Sequence, residues 1–191
     1  MASRREFVAG AVAMLLGPAV RAEGEAPPWE RLRRGRLVLL MRHASTTSEA
    51  GDPSGYRLDD CATQRNLSDA GRAQAKRVGE KLAAERIPIA RVYTSPWCRC
   101  RETAMLAFGR AEEWAPLGSF FDVPDRESSY TASVKRRIAS FLSRDPGGNV
   151  VMVTHNLNIA ALTKLSVAPG EIVIVRPDGC CALKPVERLV V

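Results

Sequence analysis

The sequence predicts an α/β fold: a three-layer α/β/α sandwich on a mostly parallel central sheet. Three observations predict it. Two apolar runs of strand length, within RLVLLMRHAST at 36–46 and NVVMVTHN at 149–156, each deliver a histidine, and His43 and His155 are the only two in the chain. Continuous apolar runs suit strands covered on both faces, the condition of a parallel sheet. Strand-like and helix-like stretches then alternate, the pattern that lays helices on both sides of such a sheet. Ligands bind an open sheet of this kind beyond the carboxyl ends of its strands, so the two runs are expected to lie side by side with both imidazoles in one crevice.

A chain of 191 residues, 46% hydrophobic and 26% charged, is long enough for a single domain with a sizeable core. Residues 1–22 stand apart as an export signal. They combine a basic start, an apolar stretch from Val8 to Leu16 and a small-residue cleavage site at Val20-Arg21-Ala22. Ser3-Arg4-Arg5-Glu6-Phe7 resembles a twin-arginine signal, with the general secretory route as the alternative. The apolar stretch is too short to span a bilayer comfortably. The expectation is an exported, periplasmic protein whose residues 23–191 form one domain with no membrane span. The formal charge of +7 favours anionic partners, and no nucleic-acid motif accompanies it. The sequence leaves the oligomeric state open.

Taken in order, EGEAPPWERLRRG at 23–35 is a short helix or irregular entry, followed by the first strand at 36–41. The polar, turn-rich stretch from Ala44 to Asn66, broken by Gly51, Pro53 and Gly55, is a long loop over the crevice. Ser68 caps a helix running to about Glu85, with Ala73, Val78, Leu82 and Ala83 on its apolar stripe. A second strand spans 87–94. A helix opens near Pro96, holds Arg99 in its first turn and ends at Phe108 before Gly109. Residues 110–127 are irregular and 128–143 helical. After the 149–154 strand come a helix at 156–165 and a hairpin over 171–190 turning at Pro177-Asp178-Gly179.

Five cysteines, Cys61, Cys98, Cys100, Cys180 and Cys181, leave at least one without an internal partner. Cys61 is open to pairing with the 98–100 segment or with the 180–181 pair, and either bridge would brace the loop over the crevice. Their spacing does not form paired CxxC zinc knuckles, so no metal and no cofactor are expected.

The residues at the crevice suit phosphate chemistry. Arg42, Arg99 and His155 can surround the oxygens of a phosphoryl group, guanidinium being the group suited to bidentate contact. His43 can attack phosphorus through one ring nitrogen while a backbone carbonyl holds the other N–H. Helix N-termini after Ser95 and His155 add dipolar attraction for the anion. Asn66, Thr46 and Thr47 can donate to phosphate or cap the loop. An acid must also protonate the leaving group, and GSFFDVPDRES offers Asp122, Asp125 and Glu127, with Asp122 favoured.

These residues carry a family resemblance. The Arg-His pair in LVLLMRHA, the signature LSDAGRAQA at 67–75, the arginine motif SPWCRCRETA at 95–104 and the second histidine in VMVTHN resemble, in order, the histidine phosphatase superfamily, its phosphoglycerate mutase-like branch. The resemblance implies a phosphoglycerate mutase-like sandwich, a phosphohistidine on His43, metal-independent chemistry and a small phosphorylated substrate. Ala44 and Asn156 stand where Gly is common in that family. The export signal and compact size resemble the periplasmic phosphatases acting on heptose of the lipopolysaccharide core, which implies a phosphorylated envelope glycan as the alternative substrate. A mutase-like phosphotransferase and a non-catalytic phosphate-binding module are the competing functions.

Overall fold

The computed structural model describes residues 28–47, 51–144, 147–178 and 182–191. Residues 1–22, expected to be an export signal, and Gly179, Cys180 and Cys181 lie outside the described residues. Eleven helices and strands follow in chain order: α1 Pro28–Arg33, β1 Val38–Arg42, α2 Asp69–Ala84, β2 Ile89–Thr94, α3 Cys98–Phe108, β3 Glu112–Glu113, α4 Glu127–Ser143, β4 Asn149–Thr154, α5 Asn156–Thr163, β5 Ile172–Asp178 and β6 Ala182–Leu189. Among the described residues no helix is long and apolar enough to cross a membrane.

The six strands form one sheet in the order β3-β2-β4-β1-β5-β6. The four strands from β3 to β1 are parallel, and β5 and β6 extend the sheet antiparallel. Alternation along β1 shows why three layers form. Leu39 and Met41 join Val78 and Leu82 of α2 and Ala104 of α3 in one buried cluster, with Leu32 of α1. Val38 and Leu40 join Val134 and Ile138 of α4 and Ile159 and Leu162 of α5 in the other. Buried Asn149 ties the near end of the sheet together: its amide donates to the carbonyls of Leu32 and Pro88 and accepts Leu37 N–H.

Several local expectations are corrected. The buried stripe of α2 is Gly71, Ala75, Val78 and Leu82, while Ala73 and Ala83 are exposed. Backbone contact decides this: a Cβ at Gly71 would sit 1.9 Å from the carbonyl oxygen of Ser45, and one at Gly79 would sit 2.1 Å from that of Ala107. Only glycine admits such approaches, so they fix the side of α2 that faces the protein. Helix α3 begins at Cys98, because Ser95 and Pro96 remain in the preceding turn, where the Ser95 hydroxyl accepts Trp97 N–H. Pro177 and Asp178 belong to β5, paired with Leu183 and Ala182. The 110–127 segment contains β3 and two short 3-10 turns.

Candidate active site

Sheet register brings the histidines together. Arg42 of β1 lies opposite Thr154 of β4, so the next residue of each strand, His43 and His155, leaves the sheet at the same level. The ring centroids are 5.5 Å apart at an interplanar angle of 66°, and both residues are buried. His43 N–H donates to Thr154 O at 3.0 Å, and Ser95 N–H donates to Val153 O at 2.9 Å, so three strand ends are joined at one point.

The two signatures flanking the first strand act largely by holding the backbone beyond His43. The Ser68 hydroxyl caps α2 by accepting Gly71 N–H. Gln74 accepts Ser45 N–H and donates to Pro169 O, bridging two segments beside His43. On the other side, Thr103 of α3 accepts Ala44 N–H and donates to Arg99 O. Ala44 is fully buried with Leu67 and Ala75, so a methyl group is accommodated there. Asn156 accepts Val167 N–H, and Val167 O in turn accepts Arg42 Nη1 at 2.6 Å. The asparagine thereby buttresses the Arg42 side chain.

The imidazoles are held differently. His43 Nδ1–H donates to Ala44 O at 2.8 Å, which leaves Nε2 as the free lone pair. Burial pushes the His43 pKa down to about 3; the Ala44 carbonyl opposes this, and the charges of Arg99, Arg42 and Arg65 add to it. His43 is therefore neutral at physiological pH, the state a nucleophile requires. His155 Nε2 is hydrogen-bonded to the Ser95 hydroxyl at 2.8 Å, and that hydroxyl also accepts Trp97 N–H. Burial first, then the neighbouring His43 and the three arginines, hold His155 well below its ordinary pKa. A neutral, hydrogen-bonding His155 is the form this environment favours.

A cavity of about 190 Å³ opens over these rings, lined by Arg42, Arg65 and Arg99, with Asp52 and Asp122 as its carboxylates among the described residues. Arg42 and Arg65 are held below the ordinary arginine pKa by burial and by repulsion from Arg99. An anion in the cavity would relieve that repulsion. Arg99 stacks on Trp97, 4.6 Å from the ring centroid, and its Nη1 pairs with Asp52 at 2.8 Å. The Nε atoms of Arg42 and Arg99 are buried without a hydrogen-bond partner among the described residues, donors suited to an oxyanion.

Of the three candidate acids, Asp122 lines this cavity, and its carboxylate accepts the Tyr56 hydroxyl at 3.1 Å. Asp125 and Glu127 line a separate cavity of about 870 Å³ between α4 and α5 that contains no histidine. Asn66 is not brought to the histidines. Its amide donates to the carbonyls of Cys61 and Gln64, and its side chain borders another cavity with Arg72 and Arg101. Its neighbour Arg65 is the residue that reaches the site. Arg65 and Asp52 escaped the sequence reading, since each is one charge in a polar loop without periodicity. Cys61 bonds Cys98, tying that loop to the residue before Arg99, and Cys100 is a buried free thiol.

Residues 38–120 match the family model of the histidine phosphatase superfamily, branch 1. Among solved structures, the chain is similar to the protein histidine phosphatase SixA in complex with tungstate, at 18% identity, 80% of this chain, 96% of that one and a TM-score of 0.52. It is similar to Rv3214 of Mycobacterium tuberculosis at 18% identity, 77% and 94% coverage and a TM-score of 0.57. The mycobacterial glucosyl-3-phosphoglycerate phosphatase Rv2419c aligns at 18% identity, 74% and 90% coverage and a TM-score of 0.54. No curated protein matches the sequence.

Proposed function

We propose that the protein is an exported, periplasmic phosphomonoesterase that works through a phosphohistidine on His43, without a metal ion. The observation that carries this reading is a buried, neutral His43, its Nδ1–H held by Ala44 O, beneath three guanidinium groups. Arg42, Arg99 and His155 hold the phosphoryl oxygens, stabilising charge without covalent involvement. His43 Nε2 forms a bond to phosphorus as the P–O bond to the alcohol breaks, and Asp122 supplies the proton to the departing oxygen. Water, giving a proton to the Asp122 carboxylate, then attacks phosphorus as the P–N bond breaks, releasing inorganic phosphate and restoring neutral His43 and protonated Asp122. Tungstate, the ligand in the similar SixA structure, is a tetrahedral oxyanion like phosphate. A small phosphorylated metabolite or a phosphorylated envelope glycan would be the substrate.

The test is turnover of an aryl phosphate by purified protein. Activity should be insensitive to chelator, inhibited by vanadate and abolished by His43→Ala, and rapid mixing should trap an acid-labile phosphoryl adduct on His43. Full activity of His43→Ala would remove that residue from the nucleophile role. Asp122→Asn should lose activity selectively on alkyl esters, whose alkoxides need protonation. Equal loss on aryl and alkyl esters would count against Asp122 as the acid.

A further inference from the structure

At about 190 Å³ the cavity over the histidines is smaller than the roughly 300–1,000 Å³ of pockets that engulf a drug-sized ligand. It holds the phosphoryl group and the first atoms of the alcohol, and the rest of an ester must lie against its mouth. The side chains there therefore select the alcohol.

Phe121, from the segment before α4, and Leu157, from the first turn of α5, both line the cavity while remaining 68% and 39% exposed. Scattered exposed apolar side chains need no explanation, but two from separate elements that line one cavity offer its ligand a contact surface. The mouth also carries the Asp122 carboxyl, held by the Tyr56 hydroxyl.

Resting on the phosphatase reading above, we propose that this site takes monophosphates whose alcohol presents an apolar face to Phe121 and Leu157. Aryl phosphates are of this class; phosphates of small polar alcohols are not. Phe121 and Leu157 are the specificity-determining residues.

The experiment compares 1-naphthyl phosphate, acetyl phosphate and 3-phosphoglycerate on the wild type and on Phe121→Ala/Leu157→Ala, reading both turnover and calorimetric binding to the unreacted protein. In the wild type, naphthyl phosphate should bind about tenfold tighter than inorganic phosphate, on the scale by which apolar pocket contacts discriminate, and 3-phosphoglycerate no tighter than phosphate. In the double variant the ratio of kcat/KM for naphthyl over acetyl phosphate should fall about tenfold, mainly through KM. An unchanged ratio, or tighter binding of 3-phosphoglycerate than of naphthyl phosphate, overturns the proposal. Absence of turnover with every ester, alongside the expected binding order, would instead refute the enzyme reading and leave the selectivity of the mouth standing.

Discussion

Removing the Cys61–Cys98 bridge should destabilise the protein and loosen its anion site together. The two cysteines are 37 residues apart. In the chain-entropy account, a closed loop of that size restricts the unfolded chain by about 4 kcal/mol, and measured values for native bridges commonly fall at 2–4 kcal/mol. For a protein of this length each kcal/mol moves Tm by about 2–4 °C, so a loss of roughly 5–15 °C is expected. The perturbation is Cys61→Ser/Cys98→Ser, or reduction of the wild type through the exposed Cys61 side. The functional consequence follows from position: the bridge joins the loop carrying Asp52 and Arg65 to the residue beside Arg99. KM for an aryl phosphate should rise severalfold while kcat changes less. Thermal melts with and without reductant, with alkylation and mass analysis to confirm release of both thiols, provide the assay. Fully released thiols with Tm moved by less than 2 °C and KM unchanged would refute both the entropic and the bracing argument.

Other perturbations probe the same frame. Neutral burial of His43 makes stability pH-dependent with a definite sign. The unfolded imidazole takes up a proton near pH 6.5, whereas the folded one resists protonation until about pH 3. Stability should be level above pH 6.5 and fall as pH drops toward 3, by about 1.4 kcal/mol per pH unit for this residue. Urea titrations at pH 7 and pH 5 should show His43→Asn losing about 2 kcal/mol less than wild type over that step; equal losses would exclude the burial argument. Gly71→Ala drives a methyl group into Ser45 O, so stability should fall by about 1–3 kcal/mol and activity with it, checked by melts and kcat/KM. Asp52→Ala strips the partner from the buried Arg99 guanidinium and should cost about 3 kcal/mol, part of it restored by millimolar inorganic phosphate in a thermal-shift assay. No phosphate rescue would show that Arg99 does not face the anion.

Local chemistry determined much of this molecule. The apolar run before Arg42-His43 has one stable use, as a strand covered on both sides, and Ser68 and Gly109 mark helix ends because a side-chain oxygen and a left-handed backbone are needed there. Strand-end position likewise made Arg42, His43 and His155 legible as a group, and the spacing after Ser95-Pro96 singled out Arg99. Tertiary structure alone decided which loop charges joined them. Arg65 reaches the cavity and adjacent Asn66 turns away, a difference set by the fold of an aperiodic loop tied down at Cys61–Cys98 and at Asp52–Arg99. It also decided that Asp122 lines the cavity over the histidines while Asp125 and Glu127 line another, and that the Ser45 carbonyl demands a glycine at 71. Periodicity reports which side of a regular element is buried; a loop has no period, so the direction of its side chains depends on contacts distant in sequence.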